Sequence, residues 1–407
     1  MNEHQSDLFR GYQANTFGRS HLLLPAHVAE AWAQDKEAAR KAAELRASIE
    51  QGTFFDKKKG DAEPADPEDS ADESEAPPEP KVGRRNLVPV FDPERLALAR
   101  KRAKGVRRDS EHRLETVLET AARWNGHRQV MRRRRGRGFG EILADLAHRF
   151  PNFRGLLDTL APDLALQFAM PAASFRLAPL LLYGAPGIGK TRFAEALAQA
   201  LGVGFSKVSA GGAQGAFEIS GTSKHWSTSA PGRVFLLLAE GDYATPVLLI
   251  DEVDKISGDS QQPVLPALLD LVEEHSARNY RDVSVDLEFD ASRIIVIATA
   301  NDIESVPSPL RSRMREVEVL MPTVEERLAI AQHMLGALLE RMHARHRPEV
   351  EHGVLERLAQ APIDLRELTR QLRRALGQAV MARRKQVRAE DLQLPQGGHS
   401  DQRIGFI

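Results

Sequence analysis

The chain of 407 residues contains no cysteine, few aromatic residues and no long apolar run. The absence of cysteine excludes disulfide bonds and thiolate metal sites. Because no stretch of about 18 consecutive apolar residues occurs, the sequence predicts no transmembrane helix and no contact with a membrane. The N-terminus has neither the basic start nor the apolar core of a secretory signal, so we expect a cytoplasmic protein.

Charge is nearly balanced over the whole chain but strongly segregated along it. The formal net charge is −1, yet residues 61–80 hold nine Asp or Glu, five Pro and no Lys or Arg. Such a segment cannot bury enough apolar surface to fold, which predicts an acidic disordered linker over residues 57–90. Residues 1–56 are predicted to hold one helix, from about residue 25 to 49, with a thin apolar face.

After the linker, residues 91–149 form a basic region for which we predict helices. Residues 100–137 contain fourteen Lys or Arg against four acidic residues. Two interpretations stay open: the arginines neutralise nucleic-acid phosphates, or they form a solvated helix face that pairs with acidic neighbours. Aromatic side chains for base stacking are limited to Trp124 and Phe139, which favours the second interpretation.

The most informative stretch is the octapeptide GAPGIGKT at 184–191, which matches the P-loop (Walker A) pattern G-x-x-x-x-G-K-[ST] at every fixed position. In such a loop backbone N–H groups point inward, and the following helix presents its positive end to phosphate. We expect Lys190 to reach the β- and γ-phosphates of ATP and Thr191 to help hold Mg²⁺. The predicted nucleotide-binding residues are Gly184, Ala185, Pro186, Gly187, Ile188, Gly189, Lys190, Thr191 and Arg192.

Strand and helix patterns alternate around this loop. Strands are predicted at 179–183, 205–209, 246–250, 293–300 and 315–320, and a helix over 190–201 follows the loop. The later strands are rich in Val, Ile and Leu, which is typical of strands covered on both faces. The pattern predicts a doubly wound α/β domain over 150–321, then a small helical domain over 322–394 that begins with a capping box, and a tail over 395–407.

The apolar run 247–250 ends in two carboxylates, about 60 residues after Lys190. Asp251 is placed to hold Mg²⁺ through its water shell, as the Walker B acid of a P-loop enzyme does. Glu252 is the candidate general base that orients and deprotonates the attacking water.

Together with the P-loop, the stretches IDEVDK at 250–255 and ATAN at 298–301 resemble an AAA+ ATPase, most closely the ATPase module of Lon-type proteases. The segments 224–234, 268–273 and 286–289 also resemble Lon, so the similarity extends over residues 150–394. The resemblance implies a P-loop AAA+ parallel sheet followed by a helical lid domain. It also implies Mg²⁺-dependent ATP hydrolysis and a ring of identical subunits, a hexamer in this family.

The resemblance assigns roles to single residues. Asn301 corresponds to the sensor-1 residue that helps hold the attacking water, and Arg366 to the sensor-2 arginine that contacts the γ-phosphate from the lid. Arg313 corresponds to the arginine finger that reaches the neighbouring subunit's nucleotide, with Arg311 and Arg315 as nearby alternatives. Trp226 corresponds to the aromatic pore residue that grips substrate, and Ser227 stands where the family has an aliphatic one.

Two departures from Lon shape the functional hypotheses. The chain stops where the Ser–Lys peptidase domain of Lon begins, and its first 150 residues do not resemble the Lon substrate-binding domain. The sequence also contains no G-x-S-x-G or H-E-x-x-H motif. We therefore expect an ATP hydrolase without intrinsic peptidase activity.

The first hypothesis is a ring-forming motor that unfolds or remodels protein substrates through a central pore, in the manner of a chaperone. The alternative is a nucleic-acid-associated regulatory ATPase anchored by residues 100–137. A third is a nucleotide-dependent assembly switch that threads nothing. Ile404-Gly405-Phe406 resembles the tripeptide by which some unfoldases dock on a separate peptidase, which makes such a peptidase a candidate partner.

Overall fold

The computed structural model describes residues 12–17, 20–25, 86–103, 108–131, 139–211, 215–222, 230–256 and 264–394. The chain divides into two compact units, 1–75 and 76–407. In the first unit, strands β1 (Tyr12–Phe17) and β2 (Ser20–Pro25) pair antiparallel. The sequence prediction has no such hairpin, because two runs of six residues carry little periodic signal. The helix predicted beyond Pro25 lies outside the described residues.

The second unit begins with a small module before the main sheet. It consists of strand β3 (Leu87–Pro89), helices α1 (Pro93–Ala103) and α2 (Arg108–Ala122), and strand β4 (His127–Gln129), which pairs antiparallel with β3. Strand β3 falls inside the range 57–90 predicted as a disordered linker, so that prediction extends too far. The reason is that Val88 and Val90 bury their side chains in the core.

The main sheet has five parallel strands with helices around it. In chain order the elements are α3 (Phe139–Arg149), α4 (Arg154–Ala169), β5 (Leu180–Tyr183), α5 (Lys190–Leu201), β6 (Phe205–Ser209), α6 (Gly215–Ser220), α7 (Arg233–Glu240), β7 (Val247–Asp251), α8 (Val264–Val272), α9 (Glu274–Ala277), β8 (Tyr280–Asp282), β9 (Leu287–Phe289), β10 (Ile295–Ala300), α10 (Ser308–Arg311) and β11 (Arg315–Glu318). The strand order in the sheet is β11-β5-β10-β7-β6, and β8 pairs antiparallel with β9 beside it.

The sheet confirms the predicted α/β fold class. Each of its five strands lies at a predicted position, and all four neighbouring pairs are parallel. All six side chains of the central strand β10 are buried, because helices cover both faces of the sheet. The carboxyl ends of β5, β7 and β10 meet at one edge, where ligands bind in open parallel sheets.

The helical domain predicted as the lid follows the sheet and has a hydrophobic core of its own. It contains α11 (Val324–Glu340), β12 (Glu349–Val350), α12 (Val354–Gln360), α13 (Leu365–Met381) and β13 (Gln386–Val387). The predicted capping box is present, since Thr323 and Glu326 exchange hydrogen bonds between side chains and backbone. The short parallel pair β12–β13 was not predicted, because two residues are too few to show a strand pattern.

Arg128 ties the module before the sheet to helix α7. Its guanidinium is fully buried and donates to six carbonyl oxygens, those of Thr120, Ala121, Arg123, His127, Leu238 and Ala239. Burial lowers the pKa of Arg128 to about 10, with repulsion from Arg123 adding to the effect. Neither interpretation of the basic region fits this residue, which instead caps the ends of α2 and α7.

Other arginines of the basic region form exposed ion pairs. Arg95 contacts Glu288 and Arg102 contacts Asp286, both on or next to β9, while Arg100 contacts Glu119. These pairs agree with the prediction of a face that pairs with acidic neighbours. Residues 132–137 lie outside the described part. Within the described ranges, no helix combines the length and the apolar composition that a bilayer crossing requires.

Candidate active site

The loop between β5 and α5 has the backbone shape of a phosphate cradle. Gly184 and Gly187 have φ values of +145° and +78°, which side-chain-bearing residues rarely adopt. A Cβ on Gly184 would lie 2.3 Å from the carbonyl oxygen of Val319, so the loop passes tightly over β11. Helix α5 starts without a side-chain cap, which leaves its first N–H groups available to an anion.

Lys190, the first residue of α5, is held inside this cradle. Its ammonium donates to the carbonyl oxygens of Gly184 (2.7 Å) and Ala185 (3.0 Å) and to Asn301 Oδ1 (3.1 Å). Burial lowers the pKa of Lys190, and the carboxylate of Asp251 only partly opposes that effect. The structure thus brings the predicted phosphate-binding lysine and the predicted sensor-1 residue into direct contact.

Asp251 lies at the carboxyl end of β7, beside the start of α5. Thr191 Oγ1 is 3.4 Å from both carboxylate oxygens, and the Thr299 hydroxyl donates to Oδ1. The Lys207 ammonium lies 2.5 Å from Oδ2. Burial acts to raise the pKa of Asp251, but hydrogen bonds from Lys207 and Thr299 outweigh it and hold the pKa below its usual value.

The donor set fits Mg²⁺ with a nucleoside triphosphate. A hydroxyl and an ionised carboxylate stand side by side, and these hard oxygen donors are what Mg²⁺ prefers. The positive-φ glycines of the loop and the uncapped helix start fit the phosphates. Thr191 and Asp251 would hold the ion.

Glu252 follows Asp251 in a left-handed backbone conformation, with φ +61° and ψ +49°. Such a conformation is strained for a residue other than glycine and often marks a functional position. The Glu252 N–H donates to Thr299 Oγ1 at 3.2 Å, which fixes the backbone. Its carboxylate accepts from the Lys255 ammonium at 2.7 Å, and that exposed pair raises the pKa of Lys255.

Asp254 connects the loop after β7 with the loop after β10. Its Oδ2 accepts from the backbone N–H groups of Asn301 (3.1 Å) and Asp302 (3.4 Å). Its Oδ1 is buried and has no hydrogen-bond partner among the described residues. Asp254 therefore helps to hold Asn301 against Lys190. In the sequence Asp254 is one residue of the IDEVDK stretch and has no predicted role.

The lid contacts the phosphate cradle through the start of α13. Asp364 caps that helix by accepting from the Glu367 N–H at 2.7 Å. A Cβ on Gly187 would lie 2.7 Å from Asp364 Oδ2, so the two residues touch. Arg366 is exposed two residues further on, and its charge adds to the lowering of the Lys190 pKa. It makes no hydrogen bond or ion pair within the described ranges.

A buried arginine of α11 supports this part of the lid. Arg327 donates to the carbonyl oxygens of Ala359 (2.7 Å), Ala361 (2.6 Å) and Ile363 (2.6 Å), the segment that leads into Asp364. Burial lowers the pKa of Arg327. Sequence reasoning missed this residue, because an arginine in the first turn of a helix resembles any surface arginine.

The three arginine-finger candidates are engaged elsewhere. Arg313 Nε lies 3.0 Å from Glu273, Arg311 pairs with Glu316 and Glu304, and Arg315 pairs with Asp163. Within the described part of the chain, none of the three bonds to the P-loop. Arg192 is exposed on α5, where its charge contributes to the lowered pKa of His333 in the lid. Trp226 and Ser227 lie outside the described residues, so the pore assignment stays a prediction.

Comparison with known proteins agrees with this geometry. Residues 180–321 match the model of the ATPase family associated with various cellular activities (AAA). The Lon protease of Metamycoplasma arthritidis is 38% identical over 161 residues, which are 39% of this chain and 19% of the relative. The Lon protease of Wolbachia pipientis subsp. Culex pipiens is 33% identical over 208 residues, which are 50% of this chain and 25% of the relative.

The chain thus spans a quarter or less of the length of these curated relatives. Among solved structures, the RuvB Holliday junction branch migration motor of Thermotoga maritima is 19% identical with a TM-score of 0.36, covering 62% of this chain and 67% of that one. The predicted resemblance is confirmed, since residues 180–321 match the AAA ATPase family and stretches of 161 and 208 residues match Lon proteases. An AAA ATPase domain implies the use of a nucleotide and Mg²⁺.

Proposed function

We propose that the AAA ATPase domain at residues 180–321 and its lid hydrolyse Mg·ATP within a ring of identical subunits that unfolds or remodels protein substrates. The observation that carries the proposal is the meeting of Lys190, Thr191, Asp251 and Asn301 at one edge of the sheet. Hydrogen-bonded polar groups at this edge match the requirements of phosphoryl transfer, where positioning and electrostatic stabilisation dominate.

In this proposal the P-loop and Lys190 hold the phosphates, and Thr191 and Asp251 hold Mg²⁺. The ion, when bound, would neutralise charge on the transferring phosphoryl group. Lys190 would exchange its contacts with the Gly184 and Ala185 carbonyls for phosphate oxygens. The burial that lowers its pKa also strengthens its interaction with an anion.

Glu252 is the proposed general base, and Asn301 the proposed residue that orients water. The Glu252 side chain is bound to the exposed Lys255, which it must leave to reach the water. Because that pair is exposed to solvent, breaking it costs little free energy. The left-handed backbone of Glu252 and the hydrogen bond from the Asn301 N–H to Asp254 support a fixed geometry for the two residues that are proposed to flank the γ-phosphate.

Two cations are proposed to complete the site. Arg366 would come from the lid of the same subunit, and Arg313 from a neighbouring subunit. The absence of any bond from Arg313 to its own P-loop, within the described ranges, supports action in trans. A site completed in trans requires oligomers, and we propose a hexameric ring.

The substrate and the partner form a second part of the proposal. Trp226 is proposed to contact polypeptide in the pore, and a separate peptidase is a proposed partner. The test is steady-state ATPase activity against protein concentration, alone and with an unfolded protein. Activity that rises cooperatively with concentration and with polypeptide supports the proposal. Activity per subunit that is independent of concentration contradicts the ring.

The second candidate, a nucleic-acid-associated ATPase, has less support. Arg95, Arg100 and Arg102 are paired with acids, and Arg128 is buried, which leaves fewer cations for phosphates. Stimulation of the ATPase by DNA, lost on deletion of residues 132–137, would favour this function over unfolding. Stimulation by polypeptide alone would exclude it.

A further inference from the structure

Lys207 is the one cation in direct contact with Asp251 in the described part of the chain. It lies on β6, the edge strand of the sheet, and β6 runs parallel to β7 with Ser209 opposite Asp251. The side chain of Lys207 extends along this edge and places its ammonium 2.5 Å from Asp251 Oδ2. The lysine side chain is 45% exposed, whereas that of Asp251 is 16% exposed.

Both oxygens of the Asp251 carboxylate have a hydrogen-bonding or charged partner in this arrangement. Oδ1 accepts from the Thr299 hydroxyl, Oδ2 faces Lys207, and Thr191 stands 3.4 Å from both oxygens. A largely buried carboxylate is costly without a counter-charge, and the ammonium supplies that charge where Mg²⁺ is expected. The contact was missed from the sequence, because a single lysine within a strand has no motif.

We propose that Lys207 is a resident counter-cation of Asp251 and a determinant of the Mg²⁺ requirement of the site. The inference rests on the proposed function. Lys207 and Mg²⁺ compete for one carboxylate, and two cations within a few ångströms of each other repel. The flexible, half-exposed lysine can withdraw into solvent when the ion binds. Binding of Mg²⁺ therefore has to break the Lys207–Asp251 pair, and the free energy this costs weakens the affinity for Mg²⁺.

A purely orienting role for Lys207 predicts the opposite sign. If the lysine served to aim the carboxylate at Mg²⁺, its removal would weaken binding of the ion. If the pair had no influence on the site, removal would change nothing. The direction of the change in Mg²⁺ dependence therefore separates the competing roles.

The experiment titrates Mg²⁺ into the full-length protein with a fluorescent ADP analogue and follows binding rather than hydrolysis. Lys207→Met and Lys207→Gln remove the charge, Lys207→Arg retains it, and Lys385→Met removes an exposed lysine of the lid. We expect the half-saturating Mg²⁺ concentration to fall about three- to ten-fold in both neutral variants. The half-saturating Mg²⁺ concentration should stay near the wild-type value in Lys207→Arg and in Lys385→Met.

Binding of the analogue in EDTA and the thermal unfolding midpoint serve as controls for the nucleotide site and for folding. An unchanged or raised half-saturating Mg²⁺ concentration in both neutral variants overturns the inference while leaving the proposed function intact. Absence of Mg²⁺-dependent binding in the wild-type protein refutes the proposed function, and the inference with it.

Discussion

The carboxylate of Asp364 touches the phosphate cradle, and its removal should tighten nucleotide binding. Asp364 caps helix α13, and its Oδ2 would lie 2.7 Å from a Cβ on Gly187. A nucleotide phosphate bound by the loop would therefore approach a like charge. Asp364→Asn removes the charge and keeps the cap, because Asn and Asp cap helices equally well.

The size of the effect follows from distance and exposure. Two unit charges about 5 Å apart repel by about 3 kcal/mol at an effective dielectric constant of about 20. Asp364 is exposed, so solvent and salt reduce the repulsion to about 1 kcal/mol. That value corresponds to about five-fold tighter binding of the nucleotide.

The assay is equilibrium binding of fluorescent ADP in Mg²⁺ at low ionic strength, repeated at high salt, where the gain should shrink. Asp364→Ser, a second neutral cap, should behave like Asp364→Asn. Glu340→Gln, which removes an exposed charge from the end of α11, should bind as the wild type does. Unchanged or weaker binding in both neutral caps would refute the electrostatic reasoning.

Two further predictions concern Arg128 and Arg313. Arg128→Met should lower the free energy of unfolding by about 3–5 kcal/mol in urea unfolding, because buried carbonyl groups lose their hydrogen-bond donor. The control Arg100→Met, which removes an exposed ion pair, should lower it by less than about 1 kcal/mol. Similar losses in the two variants would contradict the role of Arg128 in joining α2 and α7. Arg313→Ala should lower kcat by about 1,000-fold while nucleotide affinity stays within about two-fold. Mixing it with Lys190→Met subunits should restore part of the activity if the arginine acts in trans, and no gain on mixing would contradict that role.

The parts of the fold that could be predicted are those with strong local patterns. Strands β5, β7 and β10 are mostly apolar, as expected of strands buried on both faces, and the P-loop glycines mark the turn that follows β5. Strand β3 was hidden, since three residues ending in Pro89 show no alternation. The sequence reveals the charge of the basic region, but it does not reveal which of the arginines is buried. Only the fold identifies Arg128 as the buried arginine.

The site was predictable where residues follow one another in a motif. Lys190, Thr191, Asp251 and Glu252 lie in such motifs, so their positions at the sheet edge could be expected. The contacts that organise them come from other elements, such as Lys207 on the edge strand and Asp364 from the lid. A spacing pattern does not encode contacts of this kind, because the folding of distant segments creates them.

In the proposed function, hydrolysis of Mg·ATP at this site depends on Glu252. The most direct test measures ATP hydrolysis and Mg·ATP binding side by side for the wild-type protein and for Glu252→Gln. We predict that hydrolysis falls by at least about 100-fold in the variant, because the general base is lost, while its affinity for Mg·ATP stays within about two-fold. Hydrolysis at the wild-type rate in Glu252→Gln would contradict the role of Glu252 as general base.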